Sequence, residues 1–185
     1  DIMTEIHSTY SNTLKPQKVE FLLMDCMRWD LWWYIKKKIS LYEWRIVKEI
    51  PLWSHPPTIT HVQLEAIYSS TWPNCARLEK FSLETYEENL PLEERENISS
   101  AENLIKYNLI DKKVHTSIED IETLYQEIVL QLAPYLQVYL DSLPQKTMII
   151  IFSDHGFCER EKGGYFHGSV SLWEVIVPMI IMFKS

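Results

Sequence analysis

Cysteine is scarce in this chain, and its pattern is uninformative for cross-linking. Cys26, Cys75 and Cys158 are odd in number and form no CxxC pair. That argues against a disulfide framework and for a reducing compartment. Cations are also short, at 18 Lys and Arg against 26 Asp and Glu, for a net charge of −8. A free-standing nucleic-acid binder needs clustered basic residues, so direct DNA binding by this chain is not expected. The single basic run, Lys36–Lys38, closes a helical stretch, where cations suit the helix dipole. No apolar run reaches membrane-spanning length and no charged-then-apolar leader opens the chain, so a cytoplasmic protein without a membrane partner is expected. Repeats and low-complexity tracts are missing too. Glycine is nearly as rare as cysteine: four in 185 residues, every one inside FSDHGFCEREKGGYFHG, residues 152–168.

What remains is the composition of a folded domain, 46% hydrophobic and 24% charged. Because the first residue is Asp1 rather than Met, a piece of a longer protein is expected. Residues 1–18 read as a short polar helix and linker, and 19–185 as one domain. VEFLLMD (19–25) has strand length and ends on an acid, and CMRWDLWWYIKKKIS (26–40) has helical character. Trp29, Trp32 and Trp33 in that segment suit a bulky core or an interface. YEWRIVKEI (42–50) alternates like a strand and is expected to stop at Pro51. A helix is expected over about 61–70, and 73–101, rich in acids, reads as an irregular insertion or cap. IKYNLID (105–111) is strand-like, 117–143 helical with Thr116 or Ser117 as its cap and a kink or break at Pro134. KTMIIIFSD (146–154) and EVIVPMIIMF (174–183) complete the strands. Strands alternating with helices predict an α/β domain with a largely parallel sheet, whose ligand crevice lies beyond the carboxyl ends of the strands.

Three of those strands end on an acid: Asp25, Asp111 and Asp154. A single such acid is commonly a turn former or cap, but three at one edge of a parallel sheet converge. In DKKVH, the spacing of four puts Asp111 and His115 on one side of a helical turn. Asp154 is followed at once by His155, then by Gly156, which is expected to let the backbone turn sharply; His167 lies in a loop loosened by Gly163, Gly164 and Gly168. Carboxylate oxygen and imidazole nitrogen are ligands for Zn²⁺ and related divalent ions, and three of each suffice for two ions. Two adjacent cations suit phosphoryl transfer. A hydroxyl nucleophile is available in PPTIT (56–60), where Thr58 and Thr60 both qualify chemically and either serves equally well as a helix cap.

The segments LLMDCMRWDLW (22–32), PPTIT, YNLIDKKVH (107–115), FSDHG (152–156) and YFHGSVSLWEVIVP (165–178) together resemble the alkaline phosphatase superfamily, and within it the PglZ domain most closely. The resemblance implies a three-layer α/β/α sandwich with a mainly parallel sheet. It implies that Asp25, Asp154 and His155 hold one ion with the nucleophile, and that Asp111, His115 and His167 hold the second. Zinc is expected first, with manganese or magnesium as the other candidates. In superfamily members carrying a P-T-x-T element the second threonine is the nucleophile, which selects Thr60 over Thr58. Arg28 follows the first metal aspartate as in the PglZ pattern, either in a supporting salt bridge or against substrate. The implied activity is that of a metal-dependent phosphatase or phosphodiesterase acting on a phosphate ester, nucleotides and nucleic-acid-derived esters included. PglZ domains are associated with BREX-type bacterial phage defence and with some response regulators, so protein partners in a defence or signalling complex are expected. The alternative is a non-catalytic interaction module of such a complex, its metal site structural or vestigial.

Overall fold

A computed structural model of the protein describes residues 13–60, 63, 98–101 and 104–185. The chain forms a mixed α/β domain. Its strands are β1 (Lys18–Met24), β2 (Trp44–Trp53), β3 (Ile98–Ala101), β4 (Leu104–Tyr107), β5 (Thr147–Phe152), β6 (Cys158–Glu159), β7 (Tyr165–Phe166) and β8 (Ile176–Lys184). Its helices are α1 (Trp29–Lys36), α2 (Leu109–Thr116), α3 (Ile121–Ser142) and the single turn α4 (Leu172–Val175). The main sheet has six strands in the order β2-β8-β5-β1-β4-β3. At its centre β1 runs parallel to both β4 and β5. The flanking strands β8, β2 and β3 are antiparallel to their neighbours, so the sheet is mixed, with its parallel part confined to the middle.

The parallel centre follows from composition. TMIIIF in β5 is buried at every position, as a strand covered on both faces must be. Alternate residues divide between two apolar clusters. Leu22, Met24, Ile149, Ile151, Ile180 and Met182 face the same way and pack with Leu31, Trp32 and Ile35 of α1 and with α3. Leu23, Met148, Ile150, Phe152, Met179 and Ile181 fill the opposite face with Val47, Ile50 and Leu52. Helix α3 meets the first cluster along Leu124, Ile128, Leu132, Leu136 and Leu140, one buried residue every four. Trp32 is fully buried and donates its indole N–H to Glu49 over 2.8 Å, so the tryptophan-rich helix serves mainly as core.

Several expectations are corrected. Strand β2 continues through Pro51 to Trp53, because it is an edge strand with no neighbour, among the described residues, to need a proline N–H. Pro51 stands opposite Pro178, whose carbonyl faces β5 and accepts from Ser153 N at 3.3 Å, so the missing proton of Pro178 also points away from β2. Strand β4 ends at Tyr107, and Asp111 belongs to the first turn of α2. The cap of α3 is Asp120, which accepts from Glu122 N and Thr123 N at 3.0 Å each, rather than Thr116 or Ser117. Helix α3 is not broken at Pro134, which removes only the amide that would bond to the carbonyl of Leu130, a residue on the exposed face of the helix. The last residues of the expected 73–101 insertion form β3, paired with β4. The rest of that insertion, most of the helix expected over 61–70, and Cys75 lie outside the described residues. Among the described residues, no helix is long and apolar enough to cross a membrane.

The far end of α3 is closed by a buried cation from the opposite terminus. Lys184 Nζ donates to the carbonyls of Leu140, Asp141 and Leu143 at 3.3, 3.1 and 2.8 Å and pairs with Glu43 at 3.2 Å. These carbonyls lie at the helix end, where intrahelical donors run out; Leu140 O also accepts from Leu143 N at 3.3 Å. Lys184→Met is expected to lower stability by about 1–3 kcal/mol, read as a shift of the urea midpoint with an unchanged slope.

Candidate metal centre

The three parallel strands deliver their carboxylates to one end of the sheet. Asp25 directly follows β1, Asp154 lies just past β5, and Asp111 is carried by α2, which follows β4. Asp25 is tied to the sheet by its own amide, which donates to Tyr107 O at 3.0 Å. Immediately after it Cys26 adopts a left-handed φ of +69°, unusual for a residue with a side chain. That turn aims two successive amides at the end of β5: Cys26 N reaches Asp154 Oδ1 at 3.3 Å, and Met27 N reaches Ser153 Oγ at 2.8 Å. Asp154 Oδ1 also accepts from His155 N at 3.0 Å. One oxygen of Asp154 is therefore held by backbone, and the other is left facing the site.

Two triads result. Asp25, Asp154 and His155 present ligand atoms all within 4.8 Å of one another, and so do Asp111, His115 and His167. The first triad is buried; the second is more open, with His115 half-exposed. They adjoin, because the rings of His155 and His167 stack with centroids 4.2 Å apart. His155 Nδ1 lies 3.0 Å from Gly156 O, and His167 Nδ1 lies 3.0 Å from Thr58 O. A carbonyl can only accept, so each Nδ1 carries the proton and each Nε2 offers its lone pair to the site. His115 Nε2 and His167 Nε2 are 3.0 Å apart and both lie 3.2 Å from Asp111 Oδ1.

The donor set fits divalent cations. Among the described residues, two buried carboxylate oxygens have no hydrogen-bond partner: Asp111 Oδ1 and Asp154 Oδ2, one in each triad. Buried anionic oxygen is expensive unless paired or coordinated. Here each orphan faces imidazole nitrogen within 3.5 Å, a shape suited to a shared positive charge. Electrostatics agree. Burial first, then the neighbouring Asp154 charge, pushes Asp25 up to about 6 from an ordinary 3.8, against the lowering pull of Lys106. Asp111 is held below the usual carboxylate range: burial opposes this, but the adjacent His167 imidazole and the charges of His115 and His167 outweigh it. The adjacent Asp111 in turn raises His167.

Thr60 and Thr58, equivalent in sequence, are separated here. Thr60 opens a helical turn in which Gln63 N bonds back to Ile59 O at 3.1 Å. Its hydroxyl lies 2.9 Å from His155 Nε2 and 3.3 Å from Asp25 Oδ1. Thr58 faces away from that triad and is fully buried, donating to Glu174 Oε2 at 2.5 Å. Arg28 sits at neither triad. It forms a two-bond pair with Asp30 at 2.9 and 2.7 Å and lies over the Trp173 ring at 4.3 Å. Neither described cysteine is a thiolate: burial first raises Cys26 far above its ordinary value and Cys158 to about 11.

Three of the four glycines loosen the His167 loop as expected, and only Gly156 plays a different part. Gly163 and Gly164 make the turn between β6 and β7, which carries His167 toward the site. Gly168, at φ +104°, donates its amide to Thr58 Oγ1 at 2.9 Å. Gly156 has no left-handed φ; what it supplies is space, because a Cβ there would meet Trp173 O at 2.3 Å. Two residues escaped the sequence reading. Lys106 pairs with Asp25 Oδ2 at 2.6 Å; its only sequence signal is a lone cation inside the apolar strand LIKY. Glu174 is fully buried and accepts from Thr58, Cys158 Sγ at 2.8 Å and Ser169 N at 2.7 Å, visible beforehand only as an acid inside LWEVIVP.

The centre so built is a paired carboxylate–imidazole site with an adjacent hydroxyl, on an α/β domain. In sequence, the chain matches no family model and no curated protein.

Two predictions follow from the packing and the charges. Gly156→Ala is expected to cost about 1–3 kcal/mol by overpacking against Trp173, measured by chemical denaturation. The folded value of Asp25 lies above its unfolded value, so its contribution is full below pH 3.8 and is lost as pH rises through about 6. The melting temperature of metal-free protein should therefore fall between about pH 4 and pH 6. Asp25→Asn should flatten that slope, and added divalent cation should reverse it.

Proposed function

We propose that this protein is a two-metal phosphoryl hydrolase, a phosphatase or phosphodiesterase with Thr60 as nucleophile. We further propose that its fold is the three-layer α/β/α sandwich of the alkaline phosphatase superfamily, in the manner of a PglZ domain. The observation that carries the reading is the Thr60 hydroxyl, 2.9 Å from His155 Nε2 and 3.3 Å from Asp25 Oδ1, beside a second triad of the same donor types. Asp25, Asp154 and His155 would hold one ion, and Asp111, His115 and His167 the other. Bound ions would supply neutralisation of the phosphoryl oxygens and a lower pKa for a nearby hydroxyl.

The chain's own residues do the rest. Thr60 Oγ1 gives up its proton to water and attacks phosphorus, the ester P–O bond breaks, and the leaving oxygen takes a proton from water. The phosphothreonine formed is hydrolysed by water, which returns Thr60 and inorganic phosphate, or a monoester when the substrate is a diester. Asp154 keeps its orientation through the amides of Cys26 and His155. The substrate class is a phosphate ester, nucleotides and nucleic-acid-derived esters included, within a bacterial defence or signalling assembly.

The test is hydrolysis of p-nitrophenyl phosphate, its bis ester and nucleotides by protein loaded with zinc, and in parallel with manganese or magnesium. Turnover that vanishes with chelator is expected. Folded protein carrying two ions that hydrolyses none of them overturns the reading and leaves the centre structural, as in an interaction module. Thr60→Ala is expected to lower turnover by about 10³-fold or more while ions remain bound. Thr58→Ala is expected instead to reduce stability by about 1–3 kcal/mol, because it deprives buried Glu174 of a donor.

A further inference from the structure

Lys106 is an unusual residue for its position. It is the third residue of β4, a strand whose neighbours Ile105 and Tyr107 are core. In register it stands beside Leu23 of β1, so it shares a sheet face with Leu23 and, by alternation, with Asp25 beyond it. Its side chain is 14% exposed, and its ammonium lies 2.6 Å from Asp25 Oδ2, itself almost wholly buried. A surface ion pair of two mobile chains would carry little meaning. This pair is enclosed, and β4 holds Asp25 twice: Tyr107 O takes its amide at 3.0 Å, and the adjacent Lys106 takes its side chain.

The consequence is a division of labour between the two oxygens of Asp25. Oδ2 belongs to Lys106, while Oδ1 faces Thr60 Oγ1 at 3.3 Å and His155 Nε2 at 3.6 Å. Asp154 is divided in the same way, with Oδ1 tied to two amides and Oδ2 left for the site. In Asp154 the tie is neutral. In Asp25 it is a full positive charge, set beside a centre whose proposed occupants are cations.

We propose that Lys106 is a positioning residue of the metal centre: it occupies Asp25 Oδ2, so that Asp25 meets the nucleophile and an ion through Oδ1 alone. This inference rests on the two-metal reading. Lys106 thereby exchanges ion affinity for alignment. Its charge opposes a nearby cation and withholds one carboxylate oxygen, while the fixed carboxylate holds its remaining oxygen toward Thr60.

That exchange gives a signature unlike that of a merely structural lysine, whose loss would weaken binding and turnover together. In Lys106→Met, zinc affinity measured by chelator competition is expected to tighten by about tenfold, as a like charge leaves and a second oxygen becomes free. Turnover of p-nitrophenyl phosphate is expected to fall by about tenfold in the same variant. Lys106→Arg should restore wild-type zinc affinity, since charge and pairing are kept. Zinc affinity in Lys106→Met that is unchanged or weaker overturns the proposal. A readout on wild-type protein is independent of whether that variant folds: a zinc-loaded crystal structure should show Asp25 bound through one oxygen with Lys106 still on the other. Chelation by both oxygens with Lys106 displaced overturns it equally. Wild-type protein that takes up no zinc refutes the two-metal reading itself, whereas two bound ions with either overturning result refute only the role of Lys106.

Discussion

Like charges gathered at the end of a parallel sheet are the constraint around which this molecule is organised. Asp25, Asp111 and Asp154 are brought together because three parallel strands end on the same side, and burial then removes the water that would separate their charges. Every neighbouring feature answers that problem. The amides of Cys26 and His155 converge on Asp154, an ammonium is set against Asp25, and imidazoles surround Asp111. What these donors leave over is one unpartnered carboxylate oxygen in each triad, both pointed at imidazole nitrogen. A site with that remainder is complementary to positive charge, and cations are its natural complement.

Around the centre, the backbone does as much positioning as the side chains. The left-handed turn at Cys26 directs two amides to the end of β5, and carbonyls of Gly156 and Thr58 set the tautomers of His155 and His167. Behind His167 the buried Glu174 gathers Thr58, Cys158 and Ser169, so the loop carrying the imidazole is anchored from the core side. Burial raises the Glu174 pKa, but these donors outweigh it and keep the group below the usual glutamate range, as a stable anion. Arg28, which precedes α1, belongs to the same supporting layer: its charge is taken by Asp30 and its plane lies against aromatic rings.

Much of this was legible in the residues. The strands VEFLLMD and KTMIIIFSD announced themselves by apolar runs that stop on an acid, and the DKKVH spacing placed Asp111 and His115 on one helical face. Illegible features share a cause: they depend on what lies opposite. Pro51 reads as a stop, yet it is harmless at the edge of the sheet, where no strand among the described residues asks for its proton. Gly156 reads as a hinge, but its lack of a side chain serves the carbonyl of Trp173, seventeen residues away in sequence and 2.3 Å from where a Cβ would stand. Lys106 reads as one more strand residue until β1 is laid beside it.

By itself, then, the sequence determined the kinds of donor, their order along the chain, and the apolar strands that carry them, because these are properties of short segments and their periodicity. Only the tertiary structure decided which hydroxyl of PPTIT meets the carboxylates, which oxygen of Asp25 is held by a lysine, and why glycine is confined to residues 152–168. The physical reason is the same in each case. Thr58 and Thr60 are chemically alike and two residues apart, and a segment cannot tell which of its atoms will lie within three ångströms of a side chain more than ninety residues further on.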